Sequence, residues 1–175
     1  MNAASIEIRT ATSADARLLS ELGSRTFRDT FASENNESDM TLYLASAFGV
    51  DIQTRELADP SSTFLIAQVG GMAAGYSRLR LGPAPECVRG VRPVEIARFY
   101  ADAPWIGRGV GAALLMACLD EAAARACDVV WLATWDRNAR AIAFYSKWGF
   151  ETAGEADFTL GDDVQHDLLM VRAAG

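Results

Sequence analysis

The sequence predicts an α/β (α+β) domain: a mixed, twisted sheet of about seven strands flanked by helices, with residues 1–175 forming one unit. Three observations carry that class. "TFLIAQV", "GG" and "MAAGYSRLRL" read as an antiparallel hairpin whose glycines make the turn. Strand, helix, strand and helix patterns then alternate from Val94 to Trp148, an order that makes two strands parallel. The length, 175 residues, suffices for one substantial core and is too short for two.

Taken in order, "IEIRTAT" (Ile6–Thr12) alternates as a strand does, and Ser13 can cap a helix through Phe31 with Leu18, Leu19, Leu22 and Phe27 on its apolar side. "SDM" opens a second helix ending at Phe48 before Gly49, and Asp51–Leu57 reads as a third. The hairpin strands are Thr63–Val69 and Met72–Leu81; Gly82–Pro93 has no periodicity and reads as a loop. Val94–Ala101 is a strand. Val110–Ala126 is a helix whose Leu114, Leu115, Cys118, Leu119 and Ala122 form one stripe. "VVWLATW" is continuously apolar, as a strand buried on both faces would be. Asn138–Trp148 is helical and stops at Gly149, and "FETAGEADFTL" and "HDLLMVR" close the chain as a hairpin around "GDD".

Half of the chain is apolar and 22% is charged, which excludes a disordered class. The net charge of −7 disfavours a nucleic-acid partner and favours a cationic one. "MNAASIEIRT" has no apolar core, and the longest nearly apolar run, Val110 to Leu119, is far below the roughly 20 residues of a membrane span. A cytoplasmic protein without a membrane partner is expected. Cys87, Cys118 and Cys127 lack metal or redox spacing, and there is a single histidine, His166, so no metal is expected. Cys118 is expected as a buried, inert thiol.

Gly107, Gly109 and Gly111 alternate in "GRGVG" between a strand and a helix start. Such a turn gathers free backbone N–H groups at the positive end of a helix dipole, which suits a phosphate; the plainer alternative is a tight connector. A nicotinamide dinucleotide fits poorly, because Asp102–Ile106 separate the strand from the first glycine.

The stretch "IGRGVG", Ile106–Gly111, resembles the acetyl-CoA loop of the GNAT N-acetyltransferases, Gln or Arg, two residues, Gly, one residue, Gly or Ala. Ile106 departs from that pattern, and Arg108 can supply the missing charge. "WDRNARAIAFYSKWGF" is similar to the family's second cofactor segment, N-x-x-A-x-x-F-Y-x-K-x-G-F, with Asn138, Ala141, Phe144, Tyr145, Lys147, Gly149 and Phe150 matching. "TFRDTF", "YLASAF", "VEIARFY" and "FTLGDDVQHDLLM" resemble the PaiA type of bacterial acetyltransferase, whose acceptors are polyamines such as spermidine and spermine.

The resemblance implies a GNAT fold with helices on both faces of the sheet, acetyl-CoA as co-substrate and a primary amine as acceptor. It places cofactor contacts at Phe99, Tyr100 and Ala101, at Ile106, Gly107, Arg108, Gly109, Val110, Gly111 and Ala112, and at Asn138, Ala141, Tyr145 and Lys147. An ammonium has no lone pair, so a base must take its proton; Glu95 matches the family's strand carboxylate, and desolvation there would raise its pKa. Its plainer role is a solvated strand-end charge or a partner for Arg98. Tyr145 matches the family's general acid, which protonates the departing thiolate. For a polycationic acceptor, Asp29, Glu34, Asp162 and Asp163 are the candidate substrate carboxylates, with Glu37, Asp39 and Asp167 in the same segments. Another amine, such as an aminoglycoside, a lysine or a protein N-terminus, remains open, as do a non-catalytic acyl-CoA-binding module and a homodimer.

Overall fold

The computed structural model describes residues 5–161 and 163–175, apart from the side chain of Glu34; the expected substrate residues Asp162 and Glu34 (as a side chain) thus lie outside the description. Seven strands form one mixed sheet in the order β1-β2-β3-β4-β5-β7-β6. In chain order they are β1 (Ile6–Thr10), β2 (Ser62–Val69), β3 (Met72–Leu81), β4 (Pro93–Ala101), β5 (Val129–Trp135), β6 (Glu151–Leu160) and β7 (Asp163–Ala173). The helices are α1 (Ala16–Phe31), α2 (Glu37–Phe48), α3 (Val50–Ala58), α4 (Val110–Ala124) and α5 (Ala139–Lys147). The expected class, strand number and parallel pair are all present.

Each sheet face has its own helices. On one face, the predicted α4 stripe packs Leu114, Leu115, Cys118 and Ala122 against Leu65, Ala67, Val94, Ile96, Val130 and Leu132, with α5 adding Tyr145. On the other, α1 packs Leu19 and Leu22 on Phe64, Ile66 and Tyr76, while Phe27 joins Met40, Leu44 and Phe48 of α2 and Leu160 of β6. Cys118 is inert as expected: its sulfur lies 3.1 Å from Ser77 Oγ, and burial pushes the thiol up to about 12.

The start of α1 differs from expectation. Residues 13–15 form a 3-10 turn, and Asp15 rather than Ser13 takes the free backbone donor, accepting from Thr12 N–H at 2.8 Å. Arg9 forks onto the same carboxylate at 2.7 and 2.8 Å, a charge-assisted pair that a neutral serine could not match.

Two irregularities shape the site. The β4–β5 pairing covers only Pro93↔Val129, Val94↔Val130 and Glu95↔Trp131, after which the strands part. Between β3 and β4, Leu79 pairs with Ile96 and Arg78 with Arg98, so Ala97 is a bulge. An extra residue inverts the alternation of side chains. Val94 and Ile96 face α4, and beyond the bulge so do Phe99 and Ala101, while Arg98 and Tyr100 turn toward α1, α2 and α3.

That turn buries Arg98, where Glu56 of α3 accepts from it with both carboxylate oxygens and Ala47 O accepts at 3.1 Å. Arg78 donates to Glu56 Oε1 at 2.6 Å, so one carboxylate answers two guanidiniums. Removing the shared partner leaves both cations buried. Glu56→Ala should therefore lower the unfolding free energy by about 3 kcal/mol, read as a lower urea midpoint with an unchanged m-value.

Candidate active site

Where β4 leaves β5, the sheet opens into a cleft of about 280 Å³. Glu95 and Trp131 mark its vertex, the last paired residues of the two strands. Phe99 and Tyr100 line it from β4, Ala133, Thr134 and Trp135 from β5, and Asn138, Ala141 and Tyr145 from the α5 segment. Beyond the vertex the facing edges of β4 and β5 carry no partner strand, so an extended ligand arm can hydrogen-bond there as an added strand does.

The loop from β4 to α4 makes an anion cradle. Gly107 and Gly109 have φ of +76° and +90°, angles that glycine adopts without strain, and a Cβ at Gly107 would point into open space. The first bond of α4 runs from Ala113 N–H to the Gly109 carbonyl, which leaves the N–H groups of Val110, Gly111 and Ala112 free of helical partners. Val110 is fully buried, while Gly111 and Ala112 are partly exposed. Ile106 is 40% exposed, and Arg108 lies over the Trp105 ring at 5.7 Å. A Cβ at Gly111 would lie 3.6 Å from the Phe144 ring, so the cradle stands beside α5. The residues present thus fit a diphosphate held by main-chain donors.

Asn138 caps α5, its side-chain oxygen accepting from Ala141 N–H at 3.1 Å, so its amide NH₂ is what remains for a ligand. Tyr145 is buried with its ring 5.8 Å from Phe99 and 5.7 Å from Phe150, and among the described residues its hydroxyl has no hydrogen-bond partner. Burial, then Tyr100 and Cys118, pushes this phenol well above its ordinary range, so it stays protonated and able to donate. Lys147 is exposed in the last turn of α5 and does not line the cleft.

Glu95 stands at the cleft floor, but the partner suggested for it, Arg98, is committed to Glu56. Its carboxylate instead accepts from Arg80, the residue opposite it on β3, with Nε at 2.9 Å. Register decides this: the bulge lies beyond Glu95, so Glu95 and Arg80 form a direct cross-strand pair. The isolated carboxylate expected here is therefore compensated by a guanidinium.

Asp167 is the uncompensated one. It lies opposite Trp135 on β7, half-buried in the cleft, and among the described residues it has neither ion pair nor hydrogen bond. Burial, and then the neighbouring Asp136, raises its carboxyl to about 6. Around it stands an aromatic wall: Phe27 stacks on Tyr43 at 4.7 Å, Tyr43 meets the Phe158 edge at 5.6 Å, and Phe31 meets Trp135 at 5.8 Å. Rings beside one unpaired carboxylate suit an ammonium.

Of the expected substrate acids, Asp29 is exposed on α1 and outside the cleft. Asp163 borders an adjoining groove of about 100 Å³ with Trp135, Asp136 and Gln165, accepting from Gln165 Nε2 at 3.0 Å. Trp135 is shared by groove and cleft. Trp135 and Arg80 carry no site role in the sequence reading. In "HDLLMV" an acid two residues before Leu169, and hence on the same inward strand face, was the available signal for Asp167.

Residues 24–150 match the acetyltransferase (GNAT) family. The chain is 33% identical over 148 residues to an uncharacterized N-acetyltransferase in the pepI 3' region of Lactobacillus delbrueckii subsp. lactis, covering 85% of this chain and 86% of that protein. Shorter stretches match N-alpha-acetyltransferase RimI of Mycobacterium tuberculosis, 35% identical over 57% of this chain and 59% of that protein. A spermine/spermidine N(1)-acetyltransferase of Bacillus subtilis is 33% identical over 37% of this chain and 43% of that protein. In fold, the chain is similar to a PaiA N-acetyltransferase from Thermoplasma acidophilum in complex with coenzyme A, with TM-score 0.77 at 20% identity, covering 97% of this chain and 99% of that one. The chain belongs to the GNAT family of acetyltransferases and is an N-acetyltransferase of that fold.

Proposed function

We propose that this protein moves acetyl from acetyl-CoA to a primary amine by direct attack within a ternary complex, and that the acceptor is a polyamine. The observation that carries the reading is the parting of β4 from β5 beyond Glu95, which opens a passage through the sheet. On the α4–α5 side of that passage lie the glycine cradle and Tyr145; on the α1–α2 side lie the aromatic wall and Asp167.

Bound acetyl-CoA supplies an already activated thioester, so no covalent enzyme intermediate is required. Backbone N–H groups at the start of α4, those of Gly111 and Ala112 foremost, hold the diphosphate, and the free edge of Phe99–Ala101 aligns the extended arm. Tyr145 Oη gives its proton to the leaving sulfur and is reprotonated as the new amide nitrogen sheds its second proton. The amine's proton goes to a cleft carboxylate, for which the sequence nominates Glu95. Holding both partners in one dry cleft supplies much of the acceleration through proximity.

The polyamine reading is supported by the PaiA-type segments, by the Bacillus subtilis relative's acceptor and by the net charge of −7. A reacting end in the cleft leaves a second ammonium beside Asp136 and Asp163 in the adjoining groove. We place the enzyme in the cytoplasm.

Acetyl-CoA should raise the melting temperature and NAD should not, since only a ligand of the native state stabilises it. Gly109→Val should abolish that shift in a folded protein, because a β-branched residue resists φ of +90° and its side chain presses on Ile6, so the turn that presents the N–H groups must change. Tyr145→Phe should lower kcat about 10- to 100-fold at every pH from 6 to 9, measured by thiol release.

Spermidine should show a higher kcat/KM than a monoamine of similar length, with the advantage shrinking as salt rises. Asp163→Asn should raise KM for spermidine more than it lowers kcat, while Asp29→Asn changes neither. Equal rates for monoamines at low salt, or faster turnover of an aminoglycoside or a peptide N-terminus, would remove the polyamine and leave the acetyl transfer intact.

A further inference from the structure

We infer that Asp167 is the residue that receives the acceptor: its carboxylate binds the incoming ammonium and takes the proton that frees the nitrogen for attack. This rests on the proposed amine acetylation and moves its base from the vertex of the cleft to its wall.

Register sets the positions of the two carboxylates. Glu95 pairs with Trp131 and Asp167 with Trp135, so both project from the same sheet face. Four residues along β5 set their levels roughly 13 Å apart along the strand direction, at about 3.3 Å per residue, and β4 and β7 flank β5 on opposite sides, which widens the separation further. Tyr145 lies at the Asp167 level, since its ring packs on Phe99, four residues past Glu95, and Tyr100 lies close enough to feel both Tyr43 and Asp167. Glu95 is below that level and held by Arg80.

The surroundings leave the Asp167 carboxylate for a cation from outside. Facing it are Asp136 at the end of β5, Tyr43 of α2 and Tyr100 of β4, none of which carries positive charge. Arg98, on the same strand face, is spent on Glu56 and the Ala47 carbonyl. Arg137 lies over the outer ring of Trp135 at 5.9 Å, and His166, on the opposite strand face, bonds Asp157 at 2.8 Å. Opposite on β6 stands Ala156. An amine entering along Phe27, Tyr43 and Trp135 meets ring faces and then one acid.

The step balances without another reactant. A carboxylate oxygen of Asp167 takes one proton from R–NH₃⁺, leaving R–NH₂ with its lone pair and a neutral carboxylic acid, which returns the proton to solvent through the cleft mouth. A carboxyl titrating at about 6 is matched to accept and release a proton near neutral pH.

The test compares Asp167→Asn with Glu95→Gln in the full chain, by thiol release from acetyl-CoA with spermidine and with a monoamine between about pH 6 and 9.5. Asp167→Asn should lower kcat/KM by about 100-fold or more at neutral pH and recover part of it as free amine becomes abundant. Its acetyl-CoA thermal shift should be unchanged, and Glu95→Gln should cost less. The folded variant also has a signature that a packing residue lacks. The carboxyl titrates at about 6 in the fold against an ordinary 3.8, so ionising it opposes folding: the penalty is complete above pH 6 and gone below about 4. Asp167→Asn should therefore raise the urea midpoint near pH 7.5 and lose that gain near pH 4. If Asp167→Asn binds acetyl-CoA and keeps its neutral-pH rate within about twofold, or if Glu95→Gln costs more, the assignment is overturned while amine acetylation stands. A wild-type protein that binds acetyl-CoA and acetylates no amine in the panel overturns both.

Discussion

The structure depends on a parallel strand pair that stops early. Had β4 and β5 continued pairing past Glu95 and Trp131, the sheet would be closed and neither face could reach the other. Instead β5 pairs along its whole length with β7, from Val129↔Ala173 to Trp135↔Asp167, and follows that strand away from β4. The backbone groups on the two free edges must then be satisfied by water or by a ligand, since each left bare costs on the order of 1–3 kcal/mol. An extended arm that supplies those bonds is held by the same deficit that the early stop creates.

The bulge at Ala97 is the second half of that arrangement. It reverses the sides onto which the remainder of β4 projects, so that Phe99 reaches Tyr145 while Arg98 and Tyr100 reach α2 and α3. Burying Arg98 so near the cleft is tolerable because Glu56 answers it, and Glu56 is available because α3 is anchored to the sheet by Arg78 as well. Arg98 also lies over the Phe48 ring at 4.8 Å, which joins the ion network to the aromatic wall. The wall is therefore braced from behind by charge and in front by ring packing.

The sequence shows most of the fold, because hydrophobic periodicity and turn glycines are local signals: the hairpin across Gly70 and Gly71, the α4 stripe and the end of α5 at Gly149 all stand where the pattern puts them. The cofactor side of the site is legible for the same reason, as its cradle is one continuous stretch of chain. The acceptor side is not. It is assembled from α1, α2, β5, β6 and β7, and whether an acid there is free depends on what opposes it. Nothing in "VEIARFY" reveals that Glu95 meets Arg80 rather than Arg98, since the answer turns on a bulge that alternation does not announce. Asp163 and Asp167, four residues apart in one strand, differ in the same way: one is exposed in the outer groove and the other is half-buried against Trp135.

Three groups this fold leaves unanswered around the cleft are ones a ternary complex would answer. Among the described residues, the first N–H groups of α4 lack carbonyls, Tyr145 lacks an acceptor for its hydroxyl, and Asp167 lacks a cation, while nearby Glu95 and Arg98 are both paired. A carboxylate held near Asp136 in an aromatic cleft is unfavourable for the folded chain by itself and becomes favourable only when an ammonium arrives. In the proposed complex, stability withheld at that point would return as affinity for the acceptor, most strongly for a cation, so that a ring-rich cleft would discriminate charge from bulk.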